Sequence, residues 1–182
     1  MSENRRIWVR GVTGAGKSTL AAQLERELGI PRFELDDLHH LPGWQVRSAA
    51  EFRALVEEFA AADTWITSGN YSPIEAILVP RVTEMVWLDY GRWLTFARLV
   101  RRTVHRVRSQ SPCCNGNTES WQRTFSRDSI LLWHWRTYAK RRAQARSAPR
   151  NPDYAGIRQI VLRSPRETAR WLGAGAPSTW PR

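Results

Sequence analysis

Gly11-Val12-Thr13-Gly14-Ala15-Gly16-Lys17-Ser18-Thr19 is the stretch on which the reading of this chain turns. It fits the pattern G-x-x-x-x-G-K-[ST], whose glycines let backbone N–H groups close around a phosphate. Ahead of it, Ile7-Trp8-Val9 is an apolar run expected as a short buried strand. Behind it, Leu20, Leu24 and Leu28 recur at helical spacing, with Gly29 as a stop signal. The motif therefore falls between a strand and a helix N-terminus, where the helix dipole favours negative charge. It predicts nucleoside triphosphate binding by Gly11, Thr13, Gly14, Ala15, Gly16, Lys17, Ser18 and Thr19. Lys17 would reach the β- and γ-phosphates, and the Ser18 hydroxyl would ligate Mg²⁺.

The rest of the chain alternates strands and helices around this loop. Arg32-Phe33-Glu34-Leu35 reads as a second strand ending at Asp36-Asp37, followed by a loop over residues 38–44 punctuated by Pro42 and Gly43. Phe52, Leu55, Val56 and Phe59 share one helical face, with Ser48 as N-cap and Glu51 three residues on. Trp65-Ile66-Thr67 and Met85-Val86-Trp87-Leu88 are the third and fourth strands, closed by Ser68-Gly69-Asn70-Tyr71 and Asp89. A long helix is expected over 92–108, with Trp93, Phe96, Ala97, Val100, Val104 and Val107 as its apolar stripe. Residues 109–126 read as a polar lid, and 127–147 as a helix with Ile130, Leu131, Trp135 and Tyr138 inward. Ile160-Val161-Leu162 is a fifth strand and 165–172 a last helix, leaving 173–182 as a tail. The alternation predicts one α/β domain over 1–172, a parallel sheet with helices on both faces and ligands beyond the carboxyl ends of its strands.

Composition bounds the function classes. At 182 residues the chain has enough length to bury one core. No apolar run approaches the ~18 residues needed to span a bilayer. The polar residues 1–6 run straight into the first strand without room for a signal peptide, so a cytoplasmic protein with no membrane partner is expected. Cys113 and Cys114 are adjacent, which is neither a metal-ligand spacing nor a disulfide framework. Charge is uneven: residues 1–89 carry a net −4 and residues 90–182 a net +15, nearly all of it arginine. Such a basic half could hold nucleic acid, a membrane surface or a polyphosphate, or be a solvated face.

Gly11–Thr19, Leu35-Asp36-Asp37-Leu38, Pro42-Gly43-Trp44, Gly69-Asn70-Tyr71, Trp87-Leu88-Asp89 and the Arg98/Arg101-Arg102 helix occur in a familiar order. Over about residues 7–172 the chain resembles adenylate-kinase-like P-loop kinases, most closely the subgroup labelled DNA topology modulation proteins. The resemblance implies the fold of nucleoside monophosphate and shikimate kinases, ATP and Mg²⁺ as cofactors, and phosphoryl transfer to a small acceptor. Two departures stand out. The subgroup reads Asp-Gly-Asn-Tyr where this chain has Ser68-Gly69-Asn70-Tyr71, so a carboxylate that would help hold Mg²⁺ is missing. The lid lacks the Gly-x-x-Arg-x-Asp pattern of relatives, with Glu119 alone matching an acidic position.

Phosphoryl transfer asks for positioning and charge neutralisation more than covalent work. By family position Asp36 is the candidate to orient the acceptor hydroxyl or to contact Mg²⁺ indirectly; capping the next segment is the alternative for either carboxylate of the Asp36-Asp37 pair. Asp89 is expected to cap the following helix. Arg98 and Arg102, four apart on one helix face, are expected to reach the transferring phosphates, and Arg123 is a second arm. Asp37, Trp44, Asn70, Tyr71 and Arg81 complete an acceptor site expected between residues 36–44 and 70–81. No N-K-x-D stretch that would read guanine occurs, which favours ATP. Three functions follow in order: a small-molecule kinase, an ATP-binding or ATP-hydrolysing regulator, and a nucleic-acid-associated protein.

Overall fold

The structure, a computed structural model, describes residues 4–127 and 129–174. Strands β1 (Arg6–Gly11), β2 (Arg32–Glu34), β3 (Trp65–Ser68), β4 (Glu84–Leu88) and β5 (Arg158–Leu162) pair in parallel in the order β2-β3-β1-β4-β5. The central strands are covered on both faces, which is why they read as continuous apolar runs rather than alternating ones. Strand periodicity then divides them: Ile7, Val9, Ile66, Val86 and Leu88 enter one core, while Trp8, Trp65, Met85 and Trp87 enter the other.

Helix α1 (Lys17–Leu28) lays Leu20 and Leu24 on the first core and ends at Gly29, whose left-handed backbone lets its N–H reach the Glu25 carbonyl. Opposite it, α3 (Ala49–Ala60) buries Phe52, Val56 and Phe59 against the tryptophans. The capping box expected at Ser48 is present, with Ser48 and Glu51 satisfying each other's backbone N–H groups. Two short helices, α2 (Leu35–His39) and α4 (Glu75–Leu78), flank the same core. Beyond β4 come α5 (Arg92–Ser109), α6 (Trp121–Thr124), α7 (Ile130–Ser147) and α8 (Pro165–Gly173). The expected tail falls largely outside the described residues, since α8 runs to Gly173.

Several local expectations are corrected. Leu35 belongs to α2 rather than to β2, so Asp36 and Asp37 lie in the first turn of a short helix, and Pro42–Trp44 forms a helical turn inside the expected loop. Helix α5 buries Thr95, Leu99, Thr103 and Val107, whereas Trp93 is 73% exposed. A Cβ on Gly14 would collide with the Thr95 carbonyl oxygen and crowd the Leu99 Cβ, so the phosphate loop packs directly on the face of α5 that carries Thr95 and Leu99. The Thr95 hydroxyl is satisfied by the Arg92 carbonyl and by His134 Nε2 at 2.9 Å. Helix α7 starts at Ile130, capped by Ser129, and turns His134 and Tyr138 inward while Trp135 packs outside against Trp93 and Phe96. Asp89 does not cap α5, whose N-cap is Gly91; its buried carboxylate pairs instead with Arg142 and Arg146 of α7.

Arg10 is wholly buried. Its guanidinium lies 4.3 and 4.5 Å from the Trp8 and Trp87 ring centres, donating to Glu75 Oε1 at 2.5 Å and the Tyr154 hydroxyl at 3.1 Å. Cation–π contact and a charged hydrogen bond offset part of the desolvation that burying this charge costs.

Candidate active site

Gly11 to Thr19 leaves the carboxyl end of β1 and enters α1, as the motif requires. Gly16 caps α1 with φ +96, a conformation open to glycine and strained for other residues. The loop closes through Ala15 N donating to Val12 O at 3.1 Å. Lys17 Nζ donates to Val12 O at 3.3 Å. Burial lowers the Lys17 pKa to about 8, with Arg102 and Arg141 pushing the same way and Asp36 and Glu34 opposing. A polyphosphate in the loop would supply the negative charge this ammonium lacks.

Asp36 projects from α2 to the same place. Its Oδ1 accepts from the Tyr71 hydroxyl at 2.7 Å, and burial beside this carboxylate raises the Tyr71 pKa, keeping the phenol protonated. Arg102, inward on α5, also senses Asp36; burial lowers its pKa, the Arg106 charge acts in the same direction, and its Nε has no hydrogen-bond partner among the described residues. Lys17, Asp36, Tyr71 and Arg102 thus form one cluster, drawn from four separate segments of chain.

Next to it lies an oxygen-rich nook. Glu34 Oε2 accepts from the Ser18 hydroxyl at 3.1 Å and from the Ser68 hydroxyl at 2.6 Å, while Oε1 is held by Arg32 at 2.5 Å. Two hydroxyls and a carboxylate are hard donors of the kind Mg²⁺ takes, usually keeping several waters. The set fits that ion. Position 68 lacks a carboxylate, but that of Glu34, which sequence alone marks only as part of a strand, stands between the Ser18 and Ser68 hydroxyls. No cluster of three His, Cys, Asp or Glu side chains suited to a metal occurs among the described residues.

The 109–126 segment, expected as a lid, is stitched to residues 37–44. Asn115 N donates to Asp37 Oδ1 at 3.1 Å and Asn115 Nδ2 to His40 O at 3.0 Å. Asn117 Nδ2 donates to Leu41 O at 3.0 Å, and its Oδ1 accepts from Trp44 N at 2.7 Å. The Trp44 indole donates to Thr118 O at 3.0 Å and carries Arg123 over its ring at 4.3 Å. Asp37 and Trp44 therefore meet the 109–126 segment, whose Arg123 lies over Trp44, and Arg106 pairs with Glu119 beside Arg102.

Other expected site residues sit elsewhere. Asn70 spends its amide on the Gly11 peptide, donating to Gly11 O at 2.6 Å and accepting from Gly11 N at 3.3 Å, so it braces the phosphate loop. Arg98 is exposed and lies 5.7 Å from the Tyr90 ring. Helical spacing places Arg98 and Arg102 one turn apart, but only Arg102 is tied electrostatically to Lys17 and Asp36. Arg81 falls before β4, at the amino end of the sheet, and donates to Ile77 O. Conversely, Arg141 of α7 reaches in to donate to Asn70 O at 3.1 Å and depresses the Lys17 pKa. Nothing but the crowd of arginines between 136 and 146 marked it in the sequence.

No family model matches the chain, and no curated protein matches it. Solved structures do. A gluconokinase from Sinorhizobium meliloti 1021 superposes with a TM-score of 0.56 at 18% identity, covering 96% of this chain and 91% of that one. A shikimate kinase from Acinetobacter baumannii in complex with shikimate gives 0.56 at 16% identity, over 94% and 90%. A sugar kinase from Janibacter sp. HTCC2649 gives 0.51 at 22% identity, over 97% and 99%. These likenesses establish the architecture as the P-loop NTPase fold with a five-stranded parallel sheet.

Proposed function

We propose that the chain is a small-molecule kinase that transfers the γ-phosphoryl group of ATP to a hydroxyl of its acceptor. The observation that carries this is the Asp36 carboxylate, held by Tyr71 within the electrostatic reach of both Lys17 and Arg102. A carboxylate beside a phosphate loop can also serve Mg²⁺, but here Glu34 stands with the Ser18 and Ser68 hydroxyls while Asp36 is bonded to Tyr71, which favours the acceptor-facing role for Asp36. In this reading residues 109–126 act as the lid of a single kinase-like domain. The gluconokinase, shikimate kinase and sugar kinase likenesses support a sugar, sugar acid or cyclic hydroxy acid as acceptor class. The finer resemblance to the topology-modulation subgroup rests on sequence motifs alone and adds no acceptor.

The phosphate loop and Lys17 hold the β- and γ-phosphates. Mg²⁺, when bound, would be held by Ser18 with Glu34 and Ser68 beside it and would neutralise charge on the nucleotide. Asp36 accepts the proton of the acceptor hydroxyl as its oxygen bonds to the γ-phosphorus and the bridging oxygen leaves with ADP. Arg102 lies where charge develops on the transferring group. Arg141 braces Asn70 behind the loop.

The test is ATP turnover with Mg²⁺ against a panel of nucleoside monophosphates, sugars, sugar acids and cyclic hydroxy acids. Turnover that rises sharply with one acceptor, and falls about 10²-fold or more in Asp36→Asn with ATP affinity retained, supports the reading. Turnover indifferent to every acceptor replaces it with an ATP-hydrolysing regulator.

A further inference from the structure

Buried polar atoms without a hydrogen-bond partner are rare in folded chains, and four of them gather at one seam here. They are Arg102 Nε, Glu119 Oε2, His39 Nδ1 and His40 Nδ1. Arg102 belongs to α5, Glu119 to the 109–126 segment, and the two histidines to the end of α2. Asn115 and Asn117 join the two sides by donating to His40 O and Leu41 O. Glu119 directly follows Thr118, whose carbonyl accepts from the Trp44 indole at 3.0 Å. It is only 9% exposed. Its Oε1 accepts from Arg106 at 3.1 Å, while Arg102 lies within electrostatic reach of both Glu119 and Asp36. On the facing wall the His39 ring packs 4.7 Å from Tyr71, the residue that donates to Asp36. The His40 ring meets Trp44 at 5.6 Å. Burial, with His40 acting the same way, lowers the His39 pKa, so its imidazole is neutral and can donate or accept.

Deep in a core, an orphaned donor and an orphaned acceptor are a plain loss of stability. At a seam between two segments they are groups that an enclosed ligand can satisfy. Their chemistry is complementary to one functional group. Arg102 Nε only donates and a carboxylate oxygen only accepts, whereas a hydroxyl does both. A ligand carboxylate at the same point would satisfy Arg102 but face Glu119 with like charge. The neighbouring cations point the same way. Arg106 is paired with Glu119, Lys17 serves the nucleotide, and Arg123 lies exposed over Trp44. None of these three stands ready to receive an acceptor carboxylate.

We propose that the acceptor is an uncharged polyol of the sugar class, with a second hydroxyl held between Glu119 Oε2 and Arg102 Nε. This narrows the acceptor class of the kinase reading and rests on that reading. The hydroxyl that reacts is a different one: its oxygen bonds to the γ-phosphorus, its proton passes to Asp36, and ADP leaves. Arg102 keeps its other N–H groups for the transferring phosphoryl. Glu119 is then a specificity-determining residue, since its charge repels a sugar acid where it welcomes a hydroxyl.

The test is calorimetry on the full chain with Mg²⁺ and a non-hydrolysable ATP analogue, titrating glucose, galactose and ribose and, beside each, its aldonate. At least one sugar should bind, and about tenfold more tightly than its aldonate. Among deoxy analogues of that sugar, one lacking a hydroxyl other than the phosphorylated one should bind about tenfold more weakly, and this difference should fall below about twofold in Glu119→Gln. Glu119→Gln should also narrow the preference over the aldonate, because Arg106 loses its counter-charge, with the affinity for the ATP analogue unchanged. An aldonate that binds more tightly than its sugar, or binding of none of the three sugars, would overturn the proposal. So would Glu119→Gln discriminating as the wild type does, which would mean that the seam encloses water alone. The sugar, aldonate and deoxy comparisons on the wild type need no variant, so a Glu119→Gln chain that fails to fold leaves the proposal open to refutation. Turnover is read separately. A sugar that binds with this pattern but is never phosphorylated would sink the kinase reading and leave the recognition by Glu119 intact.

Discussion

Lys17 is the residue whose chemistry is most open to measurement. Its pKa of about 8 in the free protein arises from burial first, and bound phosphates would raise it. Above that pH the free lysine is increasingly neutral, so binding ATP must take up a proton. Affinity should therefore fall as pH rises from about 8 toward the lysine's ordinary value, and the proton uptake should appear in calorimetry as a dependence on buffer ionisation heat. Binding independent of pH across that window would contradict the assignment. Glu34 makes the second prediction at this scale. Glu34→Gln should raise the Mg²⁺ concentration for half-maximal turnover about tenfold, with little change in metal-free nucleotide affinity. The two residues also differ in how they could be found. Lys17 and Ser18 lie in one contiguous motif, so spacing sufficed. Glu34 gains its meaning from hydroxyls 16 and 34 residues away, which meet only when β2, β3 and α1 are assembled.

Among elements, the strands and α1 were legible because burial on both faces and a helix stop leave plain patterns. Helix α5 was not. Its aromatic residues suggested an inward stripe, but the face that meets the phosphate loop at Gly14 is that of Thr95 and Leu99, which leaves Trp93 toward solvent. A contact made possible by the missing side chain of another segment leaves no mark in the periodicity of the helix. The 109–126 segment was legible only as a polar break; nothing in Asn115-Gly116-Asn117 announced that both asparagines bind the 37–44 segment. Asn117→Ala removes the side-chain bonds to Leu41, Cys114 and Trp44 at once. At about 1 kcal/mol each, their loss should raise the acceptor KM on the order of tenfold or more, with ATP binding unchanged. Equal loss of both affinities in steady-state kinetics would argue against a lid confined to the acceptor side.

For the whole molecule, one buried ion pair ties the sheet to its periphery. Arg10 links β1 to Glu75 of α4 and to Tyr154 ahead of β5, through the layer of tryptophans. Removing one partner strands a charge in the interior, so Glu75→Ala should destabilise by about 3 kcal/mol in denaturant unfolding. Arg10→Met, which removes the charge itself, should cost less. The reverse order would mean that the guanidinium's stacking between Trp8 and Trp87 outweighs its charge. The positive excess of the second half is partly consumed in this way: Arg142 and Arg146 neutralise Asp89, Arg106 pairs with Glu119, and Arg102 and Arg141 turn inward.

The stitching of Asn115 to Asp37 has one more consequence. Asp37 is covalently next to Asp36, in the same short helix. In the proposed kinase reading, a lid that lifts while keeping its bond to Asp37 would carry α2 with it, and Asp36 would move away from the phosphate loop. Under that reading, water reaching the open cleft would meet ATP with Asp36 withdrawn, and wasteful hydrolysis would be held back until the acceptor side closes.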